Sequence, residues 1–245
     1  MDWLILSSKQ YDRLLEGITV TVQLLGASFV LGVVLSLIFG VARLSDRRSI
    51  RGAALVYVEF ARGISTIVLL FIMAYAIPIL LGLDQSNVFW LATIALGVNM
   101  GGYGAEIIRG AILSVPKGQS EASIALNLTN TQRLRFIVLP QALRVILPPM
   151  GNLTIEILKG TALVSLVGMS DLTFEIDKLN TNRVLATEPV DTSILYLNAL
   201  IAYFVMAQII NGLFRLGERW VERKYEGAAG EVPEVDESTA IGAAK

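Results

Sequence analysis

Residues 18–42 read ITVTVQLLGASFVLGVVLSLIFGVA, a stretch without a single charge. It is longer than the roughly 20 residues that a helix needs to cross a hydrocarbon core about 30 Å thick. Further uncharged runs follow at Gly63–Leu83, Val88–Ala105 and Thr192–Phe214. Val145–Met169 is just as apolar apart from Glu156 and Lys159, and a half-crossing would strand backbone groups in lipid, so it counts as a fifth span. The expectation is an all-α integral membrane protein with five transmembrane helices at about 18–42, 56–83, 88–110, 141–168 and 192–215. The first run is too long for the apolar core of a secretion signal, has 17 residues before it, and lacks a small-residue cleavage site with a basic start.

The whole chain agrees with that reading. Of 245 residues, 54% are hydrophobic and 17% charged, and there is no His and no Cys. Those two absences exclude Ser-His-Asp and Cys-His catalysis, disulfides, and metal sites built on imidazole or thiolate. The remaining acids stand beside bases, so a membrane enzyme has no nucleophile-base set to use. A net charge of −1 gives no reason to expect nucleic acid.

Basic residues orient the spans. Arg43, Arg47, Arg48 and Arg51 follow span one; Arg109, Lys117, Arg133, Arg135 and Arg144 follow span three; Arg215, Arg219, Arg223 and Lys224 follow span five. The intervening link at Asp84–Asn87 has no cation, and 170–191 sets Lys178 and Arg183 against Asp171, Glu175, Asp177, Glu188 and Asp191. The positive-inside rule then puts the N-terminus outside and the C-terminus in the cytoplasm. Residues 1–17 are expected to be an outer segment, with Lys9–Gly17 a short amphipathic turn on the surface. Residues 223–245 read as a disordered cytoplasmic tail.

The long loop between spans three and four, within SVPKGQSEASIALNLTNTQRLRFIVLPQALR (114–144), parses as a helical hairpin. A first helix runs from about Lys117 to Leu126. Asn127 stands where the chain must turn, because Asn tolerates the left-handed conformation. Thr129 and Gln132 have capping-box spacing, so a second short helix starts near Asn130 and Pro140 breaks it. Ile124, Leu128, Leu134, Phe136, Ile137 and Val138 cannot all be solvated, so the hairpin needs a surface to pack on. A helix-turn-helix DNA reader fits badly, given few basic residues and spans crowding both ends.

Three acid-base pairs at i, i+3 lie in or near the spans: Glu59/Arg62, Glu106/Arg109 and Glu156/Lys159. That spacing lets partners neutralise each other. The first two are near the cytoplasmic border, where Arg can reach water. Glu156 is expected roughly 22 Å along span four, deep in the bilayer, where a charge generally faces a cavity. Pro148, Pro149 and Gly151 just before it predict a kinked or unwound helix, a common way to build a midplane substrate site. The candidate pathway residues are Glu156, Lys159, Asn152, Arg62 and Glu106, with a purely structural pair at Glu156/Lys159 the open alternative.

The string Glu121-Ala122-Ser123, the turn at Asn127, and Ile137-Val138-Leu139-Pro140-Gln141-Ala142 resembles the coupling motif of ATP-binding-cassette (ABC) importer permeases. Gly102-Tyr103, Glu106, Arg109-Gly110-Ala111-Ile112 and Ser114 to Gln119 narrow the resemblance to the polar amino-acid (histidine, glutamine, arginine type) subgroup. It extends over Arg62-Gly63 and Lys159 to Ser165, nearly the whole chain from Gly17 to about Glu222. The resemblance implies a type I ABC importer (MetI-like) fold in a bacterial inner membrane and import of a polar amino acid. It implies two ATP-binding subunits carrying ATP and Mg, a second permease (identical or homologous) and an extracytoplasmic solute-binding protein. The outer acidic stretch Asp171–Asp191 is a candidate contact for that last partner.

No cofactor is expected in this chain, which has no G-x-x-x-x-G-K-[ST] loop for ATP phosphates. Gly118, Glu121, Ala122, Ser123 and Asn127 would form the face that docks on the ATPase. Departures from the family pattern are Ser123 for Ala, Asn127 for Gly, and Gly160 and Ala162 for more polar residues. Ile64, Ser65 and Leu69 stand where a Thr-Pro pair and a Gln are usual, which removes a kink and a polar lining group. A compatible solute such as ectoine, or an opine, is therefore the alternative cargo. An ion-driven secondary transporter is the alternative of a different class, although no convincing internal repeat is seen.

Overall fold

The computed structural model describes residues 6–82, 88–183 and 191–226, and among them there are helices and no strands. In chain order these are α1 (Ser8–Ala42), α2 (Arg48–Gly63), α3 (Thr66–Leu81), α4 (Val88–Ser114), α5 (Lys117–Ala125), α6 (Asn130–Val167), α7 (Leu172–Arg183) and α8 (Thr192–Glu226). Four of them, α1, α4, α6 and α8, are long and apolar enough to cross a membrane alone. The pair α2 and α3 passes the same test jointly but is bent by 99°, and counted as one broken span it is the fifth candidate.

Small side chains bring α1 and α4 together. The buried positions on α1 run Gly17, Thr21, Leu24, Ser28, Gly32, Ser36 and Gly40, one helical stripe of mostly small residues. Gly97, Gly101 and Gly104 of α4 lie against α1, facing Leu31, Leu35 and Ser36. In lipid, apolar surface gains little by leaving the solvent, so helices associate through close packing and hydrogen bonds. A side chain at Gly40 would put its Cβ 2.9 Å from the Ala105 carbonyl oxygen, a contact no rotamer change can relieve. The main core spreads from this seam to α3 and α6, through Leu70, Leu96, Met100 and Val164. A second cluster gathers Leu14, Leu158, Leu172, Ile176 and Leu195, where α7 packs on α1 and α8.

Five expectations need correction. Lys9–Gly17 is no separate turn: α1 starts at Ser8 and runs unbroken into the first span, with Gln10 and Ser7 closing its N-terminus reciprocally. The helix that carries span two already begins at Arg48, ahead of 56, and it bends sharply although no proline stands at the bend. Pro140 does not end the hairpin's second helix. A wide turn at Leu134–Val138, with Leu139 N–H donating to the Leu134 carbonyl, precedes the proline and lets the helix run on into span four. Such wide turns re-register the ladder where a regular bond is missing. Pro148 and Pro149 likewise sit inside a helix that is unbroken from Leu139 to Thr161; it tightens to 3₁₀ only at Ala162–Val167 and stops at Gly168, φ 80°. Finally, α8 extends through Arg223 and Lys224 to Glu226, past the expected start of the tail. The expectations for 1–5, for the link at 84–87 and for the tail at 227–245 lie outside the described residues.

The stretch after span four is also more ordered than a loop. Asp171 caps α7 by accepting from Thr173 N–H (3.1 Å) and Phe174 N–H (3.0 Å). Leu172 N–H donates to Thr21 Oγ of α1 at 3.2 Å, and Tyr203 of α8 reaches both Thr173 and Asp171. Three helices thus meet at one polar node. Asp171 and Glu175 are buried, so these two are withdrawn from the acidic surface expected there. Asp177 remains exposed and accepts from Tyr196. Glu188 lies outside the described residues.

Candidate functional site: a capped hairpin and a polar strip on the following span

Pro116 sits ahead of α5 with an extended backbone, and Gln119 N–H donates to its carbonyl. The other end of α5 closes as a Schellman motif. Asn127 takes φ 57°, its N–H donates to the Ile124 carbonyl, and Leu128 N–H reaches back to the Ser123 carbonyl. These bonds satisfy carbonyls that the helix end would otherwise leave unpaired. Asn127 is the one non-glycine with positive φ among the described residues, so it does here what glycine usually does. Two residues on, Thr129 and Gln132 exchange capping-box bonds: Thr129 N–H to Gln132 Oε1 at 2.9 Å, Gln132 N–H to Thr129 Oγ1 at 3.4 Å. Gln141 donates to Gln119 across the hairpin at 3.4 Å.

This geometry sorts the candidate docking residues. Gly118, Glu121, Ala122 and Asn127 are exposed. Ser123 is not: it is 1% exposed and its hydroxyl donates to the Ser120 carbonyl at 2.6 Å. It points into the protein, where its hydroxyl is satisfied by its own helix, so it does not share the exposed face of the other four. Of the apolar residues, Val138 is buried, whereas Ile124 and Phe136 stand 60% and 62% exposed beside Leu126. The hairpin packs only part of its apolar surface on its own chain.

The acid-base pairs divide. Glu106 accepts from Arg109 (2.8 Å) and also from Arg43 at the end of α1 (3.1 Å), so both carboxylate oxygens are taken and α1 is tied to α4. Arg43 is the partner that i, i+3 spacing could not reveal, since it is 63 positions away in the chain. Glu59 and Arg62 do not pair among the described residues; the Arg62 guanidinium lies 5.5 Å above the Tyr103 ring instead. Glu156 and Lys159 do not pair either, and both are exposed. With Asn152 they form one strip along α6, at i, i+4 and i+7, facing away from the rest of the chain.

Two residues to which the sequence assigned no role, Asn99 and Tyr103, organise the bend in span two. Where α2 stops at Gly63, its last carbonyls lose their helical partners. Asn99 Nδ2 donates to the Ala61 carbonyl at 3.1 Å, and the Tyr103 hydroxyl lies 3.4 Å from the Arg62 carbonyl. Ile64 and Ser65 take extended backbones, and Ser65 starts α3. The kink that the absent Thr-Pro pair would have supplied is held from α4. Leu69, where a polar lining group is usual, is 2% exposed and belongs to the core.

Comparison with known proteins now adds the family. Residues 32–225 match the family described as "Binding-protein-dependent transport system inner membrane component". The chain is 37% identical over 212 residues to a probable amino-acid ABC transporter permease protein, y4tF, of Sinorhizobium fredii, covering 85% of this chain and 87% of the relative. It is 35% identical over 225 residues to the L-cystine transport system permease protein TcyB of Bacillus subtilis, covering 90% and 92%. Among solved structures, the "Crystal structure of an amino acid ABC transporter with histidines" superposes with a TM-score of 0.76 at 30% identity, over 86% of this chain and 95% of the other. The fold is thus the type I ABC importer (MetI-like) fold, and an ion-driven secondary transporter is set aside. The chain belongs to the binding-protein-dependent inner membrane component family, as a multi-pass inner-membrane permease subunit of an ABC importer.

Proposed function

We propose that this permease imports a polar amino acid delivered by an extracytoplasmic solute-binding protein, and that ATP is hydrolysed with Mg in a separate subunit seated on the hairpin. The observation that carries the coupling reading is the hairpin itself. A short helix, locked at both ends by backbone bonds, presents Gly118, Glu121 and Ala122 outward while Ile124 and Leu126 remain uncovered. A rigid element with a small-residue face and loose apolar neighbours suits a groove on a partner. The cargo reading is supported by the amino-acid assignments of the relatives.

Two such permeases, alike or homologous, would enclose the pathway, with the N-terminus outside, the hairpin in the cytoplasm and two ATPases beneath. The strip Asn152, Glu156 and Lys159 then faces that pathway, where an acid can hold a substrate ammonium and a base its carboxylate. An unpaired charge exposed to lipid would cost at least ~2.5 kcal/mol, so a polar cavity is the better surrounding. Arg62, stacked on Tyr103 at the bend, lies on the same reading near a gate. Glu106 is a brace.

The test is ATPase activity stimulated by liganded binding protein, measured beside uptake in vesicles. Glu121→Lys should insert normally and lose stimulation and uptake together; normal stimulation would overturn the docking assignment. Glu156→Gln should keep basal ATPase activity and change uptake rate or selectivity, and unchanged uptake of every amino acid tested would remove Glu156 from the pathway.

A further inference from the structure

Two cavities open between α1, α6 and α8. One, of about 600 Å³, runs along Val22, Gly26 and Phe29 of α1 against Met206 and Leu213 of α8. The other, of about 380 Å³, runs along Phe29, Val33 and Leu37 to Leu139 and Arg135 of α6. Phe29, Leu147 and Phe214 line both, and Phe29 and Phe214 meet edge to face at 6.2 Å. They are two parts of one groove. From Val22 to Leu37 it follows α1 for ~22 Å, against ~15 Å for one leaflet of the hydrocarbon core. Its volume is in the range of ~300–1,000 Å³ usual for small-molecule sites.

Its lining is apolar apart from Thr154, whose hydroxyl donates to the Met150 carbonyl, and one polar end. Arg135, exposed, stands at the mouth, on the hairpin's second helix. Arg215 and Arg219 line a neighbouring cavity that shares Ile209 and Leu213 with the groove. The groove also lies on the far side of α6 from the polar strip. At about 100° per residue, the lining residues Leu143, Leu147, Met150 and Thr154 centre opposite Asn152, Glu156 and Lys159. A surface turned away from the pathway, within the membrane, with cations at one mouth, meets lipid.

We infer that this groove is a binding site for one anionic phospholipid, its acyl chain lying along Gly26 and Phe29 and its phosphate held at Arg135. The inference rests on the reading of the polar strip as the pathway side, but it is tested without transport.

The experiment is native mass spectrometry of the intact permease–ATPase complex, titrated with phosphatidylglycerol or with phosphatidylcholine of the same chains. The wild-type complex should retain phosphatidylglycerol in preference. At Gly26 an added Cβ meets nothing within 4 Å, so Gly26→Leu fills the groove without a clash at its root and should lose retention of both lipids. Arg135→Gln should retain both and cut the preference for phosphatidylglycerol about fivefold, the equivalent of ~1 kcal/mol per cation near the surface. Equal retention of the two lipids by the wild type, or undiminished phosphatidylglycerol on a folded Gly26→Leu complex, overturns the site. So does an unchanged preference in Arg135→Gln, which holds even where the Gly26 variant does not fold. Glu156→Gln should bind lipid normally, so a failed pathway reading and a failed lipid site give different results.

Discussion

Asp171 shows how much one buried side chain can organise. It caps α7, meets Tyr203 of α8, and sits one residue from the bond between Leu172 and Thr21 of α1. Burial raises its pKa above the ordinary carboxylate value, and the N–H bonds from Phe174 and Thr173 offset part of that rise. The folded state therefore binds its proton more tightly than the unfolded chain, for which the pKa is about 3.9. Between that value and the raised one, stability falls as pH rises, and the full penalty is present above the window. Asp171→Asn keeps one of the two acceptor oxygens that the cap uses and carries no charge. In detergent, the decline of its melting temperature just above about pH 4 should flatten relative to the wild type. Asp171→Ala, with no acceptor, should lose ~0.5–2 kcal/mol. Identical pH profiles for the wild type and Asp171→Asn would disprove the assignment. At this scale the capping chemistry of Asn127, Thr129 and Gln132 was legible in the sequence, because it involves neighbours only. The roles of Asp171 and Ser123 were not, because burial is a property of what packs on top.

Among the elements, the bent span carries the clearest lesson. Two extended residues, Ile64 and Ser65, turn the chain through 99°, and side chains of α4 satisfy the carbonyls that the turn frees. A proline would impose the bend locally, whereas Asn99 and Tyr103 impose it from outside. Asn99→Leu should leave the Ala61 carbonyl without a partner in a dry seam, at ~1–3 kcal/mol. Spin labels on exposed sites of α2 and α3, at Leu55 and Ile79, should then report a broader distance distribution than in the wild type. A distribution of unchanged width would mean that the bend holds itself. The prolines teach the converse. Pro140, Pro148 and Pro149 suggest breaks by their chemistry, yet a wide turn precedes the first and the helix runs on through all three. Helix existence and rough extent followed from the apolar runs. Where each run bends depended on partners supplied by another helix.

For the whole molecule, the seam between α1 and α4 sets how closely the spans can approach. Gly40→Leu cannot be accommodated by a side-chain movement, because the obstructing atom is the Ala105 carbonyl. It should part the seam near the Arg43–Glu106–Arg109 cluster and lower the melting temperature markedly, whereas Gly52→Leu, with open space around its Cβ, should not. Equal melting temperatures for the two would show the seam to be dispensable. Sequence alone determined the membrane setting, the helical content, the hairpin with its turn at Asn127 and the family resemblance. These follow from hydropathy, capping chemistry and residue order, which are local or linear properties. Tertiary structure decided which charges pair, which acids are buried, what holds the bend, and which face of α6 is polar and open. Each of those depends on residues far apart in the chain being brought within a few ångströms, and in lipid that placement is set by close packing and hydrogen bonds, which hydropathy does not encode.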